Sequence, residues 1–76
     1  MKEVVILKIR YSDDSDILLI HLRDGKLIDS IDIAEGVILH LGEDGLPLEI
    51  EILDASKVVE LGEISMEYPR TLGVIS

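Results

Sequence analysis

Residues 35–56 read EGVILHLGEDGLPLEIEILDAS, two alternating apolar runs on either side of Asp44-Gly45 that lead directly into a helix-start sequence. With Asp44-Gly45 as a two-residue turn, Leu41 falls opposite Leu48, Leu39 opposite Ile50 and Val37 opposite Ile52, so these apolar side chains share one face. On the other face His40 meets Glu49, Ile38 meets Glu51 and Gly42 meets Pro47. A slip of one residue would send every apolar partner to the wrong side. Pro47 has no N–H for a ladder, which leaves a wider loop or an edge position as the alternative. After Leu53, Asp54 or Ser56 is placed to accept a hydrogen bond from an orphan N–H and so start a helix. The pattern carries that helix from about residue 55 to residue 61, with Gly62 in the left-handed position that follows a helix. So short a helix does not persist alone and must dock, with Val58, Val59 and Leu61 as the docking side chains.

Working back toward the N-terminus, three more strands are expected. Residues 2–11 alternate imperfectly, with Val5, Leu7, Ile9 and Tyr11 on one face and Val4, Ile6, Lys8 and Arg10 on the other. Ser12-Asp13-Asp14-Ser15-Asp16 is a turn by composition. Residues 17–23 form the second strand, and Asp24-Gly25 suits a type I′ hairpin, whose two central residues both need positive φ. Residues 26–33 form the third strand, and Ala34-Glu35-Gly36 makes a short connection. The expected fold is therefore α+β, a predominantly antiparallel β-meander of about five strands with one short C-terminal helix packed on one face. Residues 1–62 make a single β-rich domain, and residues 63–76 a tail ordered against it, with strand one or strand five as the open edge.

Composition limits what such a domain can do. A chain of 76 residues buries only about 60% of the surface it exposes when unfolded, and this one compensates with aliphatic density: 47% of its residues are hydrophobic, with no Phe or Trp. Cysteine is absent, which excludes a disulfide framework, a thiolate metal site and a cysteine nucleophile. A small domain without such staples relies on packing or self-association. Asn and Gln are missing as well, a depletion of thermolabile residues that points to a thermophilic source. No apolar run reaches the length of a membrane span, and Met1-Lys2-Glu3 does not open a signal peptide, so a cytoplasmic protein is expected. The formal net charge of −9 opposes nucleic acid and anionic membranes and favours solubility, cations or a basic protein partner.

The same residues carry a family resemblance. Tyr11, Asp13, Asp16 and Leu18, then Gly36-Val37-Ile38-Leu39, Gly45, and finally Ile50-Glu51-Ile52-Leu53-Asp54-Ala55-Ser56 follow the pattern of a group of small prokaryotic domains known as DUF2283. The likeness extends from Lys2 to about Leu61. It departs from the pattern at His40 and Gly42, where the group usually has acidic or amide residues, and at Glu49, which replaces a glycine. The resemblance implies the fold and a prokaryotic origin, no established activity, and an antitoxin-like role beside small toxin-like proteins.

Candidate sites are few. Asp13, Asp14 and Asp16 could hold a divalent cation, but the EF-hand spacing fails, since the position that should be glycine is Leu19, and Asp and Ser are ordinary turn residues. His21 and His40 share a face, two strand spacings or about 9–10 Å apart with strand three between them, too far to share a metal comfortably; His40 with Glu49 reads as a cross-strand pair. Ser56 beside Asp54 lacks a base of suitable strength, and capping is the better account of both. We expect no catalytic, cofactor or metal residues, hence no cofactor and no enzymatic activity. What stands out is an aliphatic cluster on the second face, Val4, Ile6, Ile17, Leu19 and Ile28, beside a rim of Lys8, Arg10, His21 and Arg23 that grades into Asp32, Glu49 and Glu51. Either the tail folds over that cluster or another chain does, which makes it the candidate interface for a homodimer or for a basic partner.

Overall fold

The computed structural model describes residues 7–67. Five strands, β1 (Lys8–Ser12), β2 (Ile17–His21), β3 (Asp29–Ala34), β4 (Val37–Leu41) and β5 (Pro47–Leu53), are followed by a single helical turn, α1 (Ala55–Val58). All pairings are antiparallel, so the α+β fold read from the alternation is the fold observed. The strand order is β1-β2-β5-β4-β3. A consecutive β3-β4-β5 meander thus receives the β1-β2 hairpin on the free side of β5.

This order corrects two expectations. β2 and β3 do not form a hairpin, and Gly25 is not among the residues with positive φ. Among the described residues the edges are β1 and β3, whereas β5 lies at the centre of the sheet. The cause is Leu48. Its carbonyl accepts the Leu22 N–H at 2.7 Å, and its side chain, 2% exposed, packs where a Cβ on Gly25 would stand 3.2 Å away and one on Gly42 3.1 Å away. The loop after β2 is therefore drawn beneath the β4-β5 turn, and Ile28 rejoins the sheet by donating its N–H to Leu41 O at 2.8 Å. Asp24-Gly25 serves close packing of a crossing loop rather than a tight reversal.

The β4-β5 register holds from Val37↔Ile52 to His40↔Glu49 and then shifts, so that Leu41 faces Pro47 and not Leu48. The Gly45 N–H reaches Gly42 O at 3.0 Å, the Gly42 N–H reaches Leu46 O at 3.0 Å, and Gly45 takes φ 80°, a wider loop than the two-residue turn. Pro47 opens its strand, the position where its missing N–H costs least.

Paired residues share a face, which gives the sheet two sides. Across the helix-bearing side run the rows Tyr11–Leu18–Ile52–Val37 and Ile9–Ile20–Ile50–Leu39–Ile31. Leu18, Ile52 and Ala55 are its buried core, with Val37, Ile50, Val59 and Leu61 packed against them. The rows end in exposed side chains at both edges, Ile9 and Tyr11 on β1 and Ile31 on β3.

α1 stops at Val58, short of residue 61, because Val59 is already extended. Neither expected cap acts: Asp54 is itself left-handed, with φ 51°, and its side chain makes no capping bond. Asp16 caps the turn from the other end of the chain. Its carbonyl accepts the Ala55 N–H at 2.9 Å, Oδ1 accepts the Ser56 N–H at 3.0 Å and the Tyr11 hydroxyl at 2.7 Å, and Oδ2 accepts the Ser56 hydroxyl at 2.7 Å. Asp16 does this from φ 56°, a left-handed conformation that Asp tolerates better than most residues.

The hydrogen bonds from Tyr11 and then Ser56 lower the Asp16 pKa, and the bond to Asp16 raises that of Tyr11. A lowered carboxylate contributes stability that is present above its unfolded pKa, about 3.9, and is lost as pH falls through the folded value. A raised phenol contributes stability that is complete below about pH 10 and is lost as pH rises through its folded value. Stability measured against pH should therefore fall at both extremes, with Asp16→Asn flattening the acid limb and Tyr11→Phe the alkaline one. Unchanged limbs in these variants would remove the Tyr11–Asp16–Ser56 cluster as their source.

Candidate functional site

The side of the sheet opposite α1 is mixed in character. One row crosses all five strands as Lys8–His21–Glu49–His40–Ser30, and the next runs Arg10–Leu19–Glu51–Ile38–Asp32. β5 holds the two glutamates at the centre because its residues from Glu49 alternate strictly between the faces. His21 Nδ1 lies 3.2 Å from Glu49 Oε2 and its Nε2 lies 2.9 Å from Asp24 Oδ1. His40 Nε2 lies 2.9 Å from Glu51 Oε1. Both His21 contacts are hydrogen bonds together only when both ring nitrogens carry protons, since an ionised carboxylate can only accept.

The expected opposition of His40 and Glu49 is present in the backbone, but the contact is not. Glu49 is taken by His21, and His40 reaches diagonally to Glu51. The strand between the two histidines is β5 and not β3. Among the described residues no group of three or more His, Asp or Glu side chains is placed to hold a metal ion.

Along the β1 side of this face lies a groove made of two adjoining hollows of about 250 and 390 Å³, which share Arg10 and Leu19. Ile17 and Leu19 form its half-buried floor, with Lys8 and Arg10 along one wall and Glu49 and Glu51 along the other. Among the described residues neither Lys8 nor Arg10 makes an ion pair. Of the candidate interface residues, Ile17 and Leu19 are thus brought together. Ile28 is exposed on the crossing loop away from them, and Val4 and Ile6 lie outside the described residues. Arg23 is drawn off to Asp44, Nη2 to Oδ2 at 3.2 Å. Asp44 also accepts the Leu46 N–H, and these bonds, the backbone one first, lower its pKa.

The acidic turn offers no cage. The carboxylate of Asp16 is occupied by Tyr11 and Ser56, while Asp13 and Asp14 are exposed. The same cluster gives Ser56 no activating base, because a carboxylate of lowered pKa is a weaker proton acceptor. Sequence reasoning missed Asp16 as the cap because the contact spans 40 positions.

Residues 8–56 match the model of a family described as a protein of unknown function (DUF2283). The chain belongs to DUF2283. No curated protein and no solved structure matches it. In this DUF2283 domain residues of the matched span build the frame: Tyr11, Asp16 and Ser56 tie the first turn to α1, Leu18, Ile52 and Ala55 fill the core, and Gly36 and Gly45 take positive φ in turns. His40 and Glu49 fall on the charged face, each paired with a residue of opposite potential charge.

No helix among the described residues is long and apolar enough to cross a membrane.

Proposed function

We propose that this domain is a non-enzymatic interaction module that self-associates through the groove beside β1. The supporting observation is the groove itself: an aliphatic floor of Ile17 and Leu19 between a basic wall, Lys8 and Arg10, and an acidic wall, Glu49 and Glu51. Walls of opposite sign on one surface are self-complementary about a two-fold axis, the commonest symmetry of small homo-oligomers. Half-buried aliphatic groups ringed by charge are what a contact surface needs for affinity and register together. The committed hydrogen bonds of Asp16 and Ser56 support the non-enzymatic reading.

Leu19→Lys tests the proposal. Loss of the dimer in sedimentation velocity, with an unchanged circular dichroism spectrum, is expected; an undiminished dimer would reject the groove. Leu19→Ser is the milder variant should lysine disturb the sheet. The net charge of −9 favours a basic protein as a second reading. In that case the isolated chain is a monomer, and Leu19→Lys leaves its mass unchanged.

A further inference from the structure

We infer that the edge of β1 receives residues 63–67 of a second copy of this chain as a sixth strand, in a two-fold exchange. This inference rests on the reading of the domain as self-associating and names the element that each copy presents. Glu63-Ile64-Ser65-Met66-Glu67 alternates acidic or polar with apolar, the pattern of a strand covered on one side. It nevertheless lies outside the sheet, without regular structure, with Ile64 65% and Met66 69% exposed. Its backbone makes no hydrogen bond to the sheet among the described residues. β1 is the matching half: among the described residues an edge strand, exposed along its whole length and alternating Lys8, Arg10 and Ser12 with Ile9 and Tyr11.

One antiparallel register satisfies both faces. Ile64 opposite Tyr11 and Met66 opposite Ile9 extend the two apolar rows that now end in exposed side chains at this edge. The same register sets Glu67 opposite Lys8 and Ser65 opposite Arg10, with Glu63 and Glu67 on the two diagonals of Arg10. A slip of one residue would set an apolar side chain against a charged or polar one at every pair. Charge also excludes the competing edges. Two β1 strands paired antiparallel about Arg10 would set like charges opposite each other, and β3 presents Asp29 and Asp32, which repel an acidic strand.

A second copy is the occupant because Val59 and Leu61 hold the chain against Leu18, Ile52 and Ala55 on the helix-bearing face, and the following segment stands off its own sheet. Exchange lets each copy supply one strand and receive one, closing both β1 edges without leaving a free end to propagate.

Paired charge reversals test this at exposed residues, where folding is least at risk. One variant carries Lys8→Glu with Arg10→Glu, the other Glu63→Lys with Glu67→Lys. Each alone should weaken the wild-type dimer about tenfold or more in sedimentation equilibrium. An equimolar mixture should restore it, since each variant's edge then meets a segment of opposite charge from the other. Variants that dimerise like the wild type would give the edge to another occupant, such as β3 of the second copy, and overturn the inference. A mixture that stays monomeric would also overturn it, even where Leu19→Lys abolishes the wild-type dimer and upholds the groove. A monomeric wild type would sink both.

Discussion

Leu48→Ala lowers the free energy of unfolding by about 2–5 kcal/mol, the range for emptying a fully buried leucine site. At roughly 0.05–0.15 kcal/mol per residue, a domain of this size has about 4–11 kcal/mol in total, so the variant is expected to sit near the edge of folding. The expectation rests on more than lost contact area. Leu48 is the side chain against which Gly25 and Gly42 close, and its carbonyl holds Leu22. Emptying it loosens the loop that carries the chain from β2 to β3, on the far side of the sheet. Leu46 is the control two positions away: it is 51% exposed, and Leu46→Ala should change stability by no more than about 0.5 kcal/mol. Urea titrations that gave the two variants equal losses would refute the role assigned to Leu48.

Asp16→Ala is the second severe substitution. It removes both carboxylate acceptors at once, leaving the Ser56 N–H and hydroxyl and the Tyr11 hydroxyl to water, and it puts alanine at φ 56° where Asp was tolerated. The urea midpoint should fall further than with Tyr11→Phe or Ser56→Ala, each of which takes away one donor and leaves the carboxylate in place. Asp16→Asn should lie between, since asparagine accepts the left-handed backbone and keeps one oxygen. Hydrogen exchange should localise the damage, with amide protection lost at Ser56, where α1 begins, before it is lost in β5. Equal midpoints for Asp16→Ala and Ser56→Ala would mean that the capping is not concentrated in Asp16.

The parts of the fold legible in the sequence were those governed by near neighbours. The period of two along residues 37–41 and 48–53 gave both strands and four of their pairings, from Val37↔Ile52 to His40↔Glu49. The other two, Leu41 with Leu48 and Gly42 with Pro47, fail at the register shift, where Pro47 faces Leu41 and Leu48 drops into the core. Strand order was not legible. Asp24-Gly25 has the composition of a tight hairpin, and only the packing of Leu48 against Gly25 shows that the chain crosses there rather than reversing. Composition cannot separate a glycine needed for its φ from one needed for its missing Cβ.

The site was legible in the same partial way. Alternation placed Ile17 and Leu19 with Lys8, Arg10, His21, Glu49 and Glu51 on one face, and the structure keeps them there. The partner of each histidine was not readable, because diagonal and direct cross-strand neighbours differ by two residues and side-chain reach covers both. Proximity points to Asp54 or Ser56 as the cap on α1, whereas the acceptor is Asp16, 40 positions away from Ser56.

Self-association is the claim on which the functional account turns, and light scattering across a concentration series tests it most directly. The account expects a molar mass that rises from one chain to two with concentration and returns to one in Leu19→Lys at every concentration. A wild-type chain that remains a monomer throughout would contradict it and leave the groove to a different, basic protein.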